Sequence, residues 1–227
     1  MTDQDSTTGL RGRLVTAGVE LVTREGVHAL TLREIARQAG VSHGAPRRYF
    51  ATHVELLAAI ARRGFDDLAA SLGLAGPAAD PDPVGAGGPA AARAALGRLA
   101  RGYLDFAAAQ PGMFELMFRH DVLEGSGSDL RRTTLPLFEV IARLVAEARP
   151  DTAGRTGGPG PYAATPPGVP DPAGVPDPVT AAAAFWANLH GLAQLRAWGT
   201  LRLVTGTDTL EPLLRAALDA HLGPEPR

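Results

Sequence analysis

The sequence predicts an all-α protein, an N-terminal three-helix module followed by a helical bundle. Three observations carry this. Apolar residues recur at spacings of three and four wherever glycine and proline are sparse, and no stretch alternates with the period of two that a strand requires. Thr31 with Glu34, and Thr52 with Glu55, stand at the spacing of N-terminal capping boxes.

Residues 1–7 are polar and are expected to form a disordered arm. A first helix over about 10–24 sets Leu10, Leu14, Ala17 and Leu21 on one face and stops at Gly26. Thr31 opens a second with Leu32, Ile35, Ala36 and Ala39 inward, Ser42 can cap a third, and Thr52 opens a longer one through Leu56, Leu57, Ile60, Phe65 and Leu68. Residues 73–89 hold nine glycines and prolines in seventeen positions and read as a flexible loop. Ala92, Leu96, Leu99, Tyr103 and Phe106 then keep a helical rhythm, and PGMFELMFR (111–119) is apolar nearly all round, as a buried turn or two would be. Leu137, Phe138, Ile141, Leu144 and Val145 define a helix ending near Arg149, with Pro136 expected in its first turn. Residues 149–178 hold fifteen glycines and prolines in thirty, including GVPDPA and GVPDPV, and are expected to be disordered. Helices over 179–204 and 207–222 close the chain.

At 227 residues the chain can bury one or two cores. The polar start MTDQDSTTG lacks the apolar centre of a secretory signal, and no run reaches the roughly 18 apolar residues of a membrane span. Cysteine is absent, which excludes disulfides and thiolate metal sites. A cytoplasmic protein with no membrane partner is the expectation. Net charge is only −2, yet residues 10–63 carry nine arginines against four acids. A basic module joined to an acidic remainder points to a polyanion meeting only the first part. All 22 basic residues are arginine, a bias shared with the abundant alanine, glycine and proline and not itself read as functional.

Residues 31–50 form two helices joined at Gly40, where the chain must reverse. Ala36 is small where the pair would cross, and Ile35, Ala39, Val41 and Tyr49 fall at offsets that pin it. This pattern fits a helix-turn-helix; a purely structural αα-hairpin is the alternative reading. Pro46, at the expected fourth position of the third helix, would forfeit its first bond to the Ser42 carbonyl, and either stiffens the helix or merely packs.

LTLREIARQAGVSHGAPRRYFATHVELLAAI, residues 30–60, resembles the N-terminal module of TetR-type transcriptional regulators over roughly 8–68, with T-x-x-E-I-A, A-G-V-S, G-x-x-x-x-Y-F and E-L-L in register. YLDFAAAQPGMFELMFR (103–119) and FWANLHGLAQL (185–195) resemble the C-terminal domain subtype named for its W-H-G residues, here Trp186, His190 and Gly191. The resemblance implies a helix-turn-helix DNA-binding domain at 8–68 and a ligand-binding and dimerisation domain at 90–223. It implies that His43, Gly44, Ala45 and Arg47 lie on the exposed side of the recognition helix and face base edges, with Arg47 suited to guanine O6 and N7. Thr31, Ser42, Arg48, Tyr49, Thr52 and the amides after Thr52 would meet phosphates. His53 stands where the family usually has lysine, so its phosphate contact would be weaker and pH-dependent. Position 47 usually carries an aromatic, which leaves the half-site sequence open.

For the second domain, Tyr103, Phe106, Met113, Phe114, Met117, Phe118, Phe138, Phe185, Trp186 and His190 are candidates to line an apolar effector cavity, against the alternative that each is ordinary core. The histidines form no HxxxH pair or His/acid cluster, so no metal and no cofactor is expected. GxSxG, P-loop, GxGxxG and HExxH are all absent, and Glu115 and Asp121 read as capping or solvated acids; the chain is not expected to be an enzyme. The family's last two long helices build a homodimer, and a dimer also lets two short recognition helices read a palindromic DNA operator. The expected function is a repressor released by a small apolar ligand. The alternatives are a helical small-molecule binder or enzyme without operator binding, and an activator of the same fold.

Overall fold

The computed structural model describes residues 3–75, 87–124, 131–149 and 177–224. Among these the regular structure is helical and no strand occurs, as predicted. In chain order the helices are α1 (Asp3–Glu25), a 3-10 turn (Val27–Ala29), α2 (Leu32–Gln38), α3 (Pro46–Tyr49), α4 (His53–Ser71), α5 (Gly88–Ala109), α6 (Pro111–Phe118), α7 (His120–Leu123), α8 (Arg131–Ala148), α9 (Pro178–Ala197), α10 (Thr200–Thr205) and α11 (Glu211–Leu222). The chain forms two compact units, Met1–Ser71 with Phe106–Thr134, and Leu72–Asp105 with Leu135–Arg227.

In the first unit, Leu14, Leu21 and Val22 of α1, Ile35 and Ala36 of α2, and Leu56 and Ile60 of α4 are fully buried. The apolar segment at 111–119 completes this core, because α6 packs on α1, on α4 and on the 3-10 turn. Met113 and Leu116 are fully buried there, and Phe118 meets the Phe65 ring edge-on at 5.6 Å. Gly112 makes the approach possible: a Cβ at this position would stand 2.4 Å from the Val22 carbonyl oxygen and 3.0 Å from Gly26 Cα.

In the second unit α9 packs on α10 and α11, with Phe185 buried and its ring 5.8 Å from that of His221. The α9 N-terminus is capped by Asp177, which accepts from the amides of Val179 and Thr180 at 3.0 and 3.1 Å. Two arginines close the α11 C-terminus. Arg93 donates to the Gly223 carbonyl at 2.7 Å and pairs with Asp219, while Arg149 donates to the His221 carbonyl from Nε and Nη2 at 3.0 and 2.8 Å. Cations there also oppose the negative end of the helix dipole.

Several expected boundaries move. The arm at 1–7 is helical from Asp3, since α1 begins there, while residues 1–2 lie outside the described residues. Of the loop expected at 73–89, residues 76–86 lie outside them and Gly88 and Pro89 already belong to α5. Likewise 150–176 of the loop at 149–178 lie outside, whereas Asp177 and Pro178 are the cap and first residue of α9. The helix expected over 179–204 is two helices, because Gly199 adopts φ +71 and ends α9 after Trp198. The final helix starts at Glu211, not 207. Pro136 sits inside α8 and not in its first turn, at an exposed position where the helix forgoes one donor.

Replacing Gly112 with alanine forces backbone against backbone, and should cost roughly 1–3 kcal/mol in urea unfolding. Gly12→Ala, at an exposed α1 site with nothing within 4 Å of the new Cβ, should instead stabilise by about 0.5–1 kcal/mol. Equal effects of the two changes would refute the packing assigned to α6.

Candidate nucleic-acid interface

The helix-turn-helix is built from its caps inward. Thr31, extended at φ −92 and ψ 150, accepts from the Glu34 amide at 3.2 Å and starts α2. The Glu34 carboxylate turns outward to Arg37 and does not close the capping box. At the other end Gly40 adopts φ +67; its amide donates to the Arg37 carbonyl at 3.1 Å and that of Val41 to Ala36 at 3.0 Å. These two bonds are a Schellman motif, which needs the left-handed residue that glycine supplies. Arg13 of α1 adds a third bond, from Nη2 to the Ala39 carbonyl at 2.7 Å.

The recognition helix is shorter than expected. Ser42 does not cap it. The Ser42 carbonyl accepts from the Ala45 amide at 2.9 Å, closing a turn over 42–45, and α3 proper starts at Pro46. Pro46 is therefore the first helical residue, where no donor is required, so the loss expected for a fourth position does not arise. It is buried, so it also packs. Phe50, 2% exposed, ends the helix on the core, with the Arg11 guanidinium 4.7 Å from its ring centroid.

The predicted contact residues divide clearly. His43, Gly44 and Arg47 are exposed, and with Leu32 and Arg33 they line one open depression. Thr31, Ser42, Arg48 and Thr52 are exposed and Tyr49 is half-buried. Ala45 departs from expectation. It is only 9% exposed and precedes the buried Pro46, so the turn directs it inward and not onto the exposed side. His53 departs too. Its Nε2 lies 2.7 Å from the Leu30 carbonyl oxygen, which occupies the atom a phosphate would need. Arg33 was missed by sequence reasoning; the available signal was its place in the first turn of α2, two residues after the Thr31 cap.

Ion pairing distinguishes these arginines from several others of the module. Arg24 pairs with Glu25, Arg37 with Glu34 and Arg63 with Asp67. Among the described residues Arg33, Arg47 and Arg48 form no ion pair and no side-chain hydrogen bond, and all three are exposed. Three guanidinium groups held out to solvent beside an exposed glycine are suited to receive acceptors from outside the chain.

The ten effector candidates are divided between the two units. Phe106, Met113, Phe114, Met117 and Phe118 belong to the first unit, where the α6 residues pack in its core. Tyr103, Phe138, Phe185, Trp186 and His190 belong to the second. There the Tyr103 hydroxyl lies 2.9 Å from His190 Nδ1, and the Trp186 and His190 rings are 5.7 Å apart. Burial pushes the Tyr103 phenol well above its ordinary value, offset by a side-chain hydrogen bond with Trp186. Gln194 stands 3.5 Å from His190 Nε2, so residues 186, 190 and 194 form one polar row along α9. Among the described residues no group of three metal-ligating side chains occurs, and no helix is long and apolar enough to cross a membrane.

Two family models match the chain. Residues 14–60 match "Bacterial regulatory proteins, tetR family", and residues 96–221, more than half of the chain, match "Tetracyclin repressor-like, C-terminal domain". No curated protein matches. Among solved structures, a protein of unknown function from Rhodococcus sp. RHA1 is 30% identical, covering 94% of this chain and 93% of that one at a TM-score of 0.65. The multidrug binding protein EbrR, complexed with imidazole, is 23% identical over 95% and 90%, with a TM-score of 0.55. A TetR family member from Streptomyces coelicolor A3 is 22% identical over 94% and 98%, at 0.53. At such identities these last two show the fold.

The histidines of the second unit predict a pH dependence. Burial holds His190 below its ordinary value of 6.5, and burial with the Arg149 charge does the same for His221. The unfolded chain then binds protons that the folded chain refuses, so stability is complete above about pH 6.5 and falls as pH drops through the lower folded values. Thermal midpoints should decline from about pH 7 to about pH 5, and His190→Gln should flatten that decline. A midpoint that rises on acidification would contradict the assignment.

Proposed function

The chain belongs to the TetR family and is a DNA-binding transcriptional regulator; from that premise we propose that it is a homodimeric repressor, released from a palindromic operator by a small-molecule effector. The observation that carries the operator contact is the set of exposed, unpaired arginines around the depression at Leu32, His43 and Gly44. Arg33 and Arg47 read base edges with His43 and Gly44, while Thr31, Ser42, Arg48, Tyr49 and Thr52 hold phosphates. The protein acts in the cytoplasm, where its DNA is, as a non-enzymatic regulator.

The exposed surface of the second unit supports a dimer through α9 and α11. Ala183, Ala184, Ala187 and Asn188 of α9 and Ala216 and Ala220 of α11 are exposed, small side chains that let backbones approach. Beside them Leu195 and Trp198 are 36% and 72% exposed, a patch of the kind that marks a protein interface. The half-buried Trp186 and His190 of α9, with the Tyr103 hydroxyl beside them, supply the groups that would orient an apolar effector. Effector binding would favour a dimer whose recognition helices are misspaced, lowering operator affinity by the coupling free energy between sites.

Duplexes selected by the wild-type protein from a random pool should be shifted in electrophoresis, and Arg47→Ala with Arg48→Ala should abolish that shift while far-UV circular dichroism is unchanged. Specific binding retained by the double variant would overturn the assigned interface. In sedimentation at micromolar concentration the wild type should be a dimer, and Leu195→Glu with Trp198→Glu should weaken it at least tenfold. A monomeric wild type would refute this part.

A further inference from the structure

One hydrogen bond brackets the whole helix-turn-helix. His53 is the first residue of α4, the first after the recognition segment and its Thr52 cap. Its Nε2 lies 2.7 Å from the carbonyl oxygen of Leu30, the residue immediately before the Thr31 cap of α2. Residues 30 and 53 thus clasp everything between them. A carbonyl oxygen can only accept, so in this bond Nε2 carries the proton and donates.

Leu30 is a demanding anchor. Its side chain is 3% exposed and its amide donates to the Val27 carbonyl at 3.1 Å, so neither its side chain nor its nitrogen is free to shift. Its carbonyl leaves the 3-10 turn at ψ 60, outside the direction that α2 could use internally. The imidazole is half-buried at this point, at a distance typical of a strong bond to a carbonyl.

A lysine in this place could reach outward to a phosphate as a flexible point charge, whereas this ring is turned inward with its donor spent. We infer that His53 is a positioning residue for operator binding and not a phosphate ligand: it fixes the start of α4 against the start of α2, and so sets the register of the recognition segment strung between them. The inference rests on reading this module as the operator-binding surface. Its sign is distinctive. A charged phosphate ligand contributes counterion release, so at about pH 6, where an imidazole on a phosphate would be protonated, its loss would lower the magnitude of the slope of log K against log salt by about 0.9. A positioning residue leaves that slope unchanged, because the same phosphates are met less well.

The test uses the full chain, with His53→Ala and His53→Gln, and a duplex selected by the wild type. His53→Ala should lose roughly five- to tenfold in affinity, the contribution of one ordinary hydrogen bond, with the wild-type salt slope. His53→Gln, which keeps an amide donor, should recover most of the loss. A slope lowered in magnitude by about 0.9 in His53→Ala at about pH 6, or unchanged affinity, would overturn the inference. A separate readout needs no DNA: nitrogen-15 spectra of the imidazole in the free protein should show a protected Nε2–H, and a neutral ring protonated at Nδ1 alone would overturn it. Failure of the wild type to select any duplex would count against operator binding itself, while the ring spectrum would still decide whether the clasp exists.

Discussion

The recognition segment cannot hold its own shape, and most of the first unit follows from that constraint. A helix of four residues lies far below the length at which nucleation is repaid. Outside the single turn of α3 itself, three backbone bonds, Ala45 to Ser42, Arg48 to Ala45 and Phe50 to Pro46, tie 42–50 internally. Order must come from outside, and the surrounding elements provide it at fixed points. Arg13 binds the Ala39 carbonyl where the turn begins, Phe50 is buried under the Arg11 guanidinium where the helix ends, and His53 reaches Leu30 across the base. Pro46 contributes by restricting φ before folding, at the one helical position where its missing donor has no consequence. The segment that must present unpaired arginines to solvent therefore spends none of its exposed side chains on its own stability.

This division explains why local charge was a useful but incomplete guide. The excess of five positive charges over 10–63 is a sum over arginines with different fates. Arg24, Arg37 and Arg63 are neutralised by neighbouring acids, and Arg13 is consumed as a helix cap. Arg11 lies over the Phe50 ring, and what remains exposed and without an ion pair is Arg62 on α4 and the group at 33, 47 and 48. Exposed pairs such as Arg37–Glu34 contribute little to stability. Their effect is to lower the number of unpaired charges the module presents.

Much of this was legible because it is local. Thr31, Thr52 and Gly40 act within a turn of their own positions, and each caps or reverses the chain as its residue type requires. The period of three and four marks the buried faces of α4 and α5 for the same reason. What was not legible depends on partners distant in the chain. His53 looked like a substituted lysine facing a phosphate because nothing near it in sequence announces the Leu30 carbonyl. Gly199 looked like one residue within a long apolar run, and only its positive φ separates α9 from α10. Ala45 fell on the exposed side of a helix assumed to start at Ser42; a start four residues later rotates that face.

The aromatic and methionine residues show the limit most clearly. Ten apolar side chains at helical spacing were compatible with one cavity, since periodicity reports that a face is buried but not by what. Gly112 bears on the α6 members: with no Cβ, it lets α6 settle against the Val22 carbonyl, and Met113, Phe114 and Met117 are buried where α6 packs on α1 and α4. Those residues are then committed to the rigidity of the DNA-binding module, which an effector could exploit only by deforming close-packed atoms. Tyr103, Trp186 and His190 differ because they bring polar atoms together at a part-buried place, where the Tyr103 hydroxyl meets His190. A site that discriminates among small molecules needs such groups, and the effector site we propose would draw them from this polar row along α9.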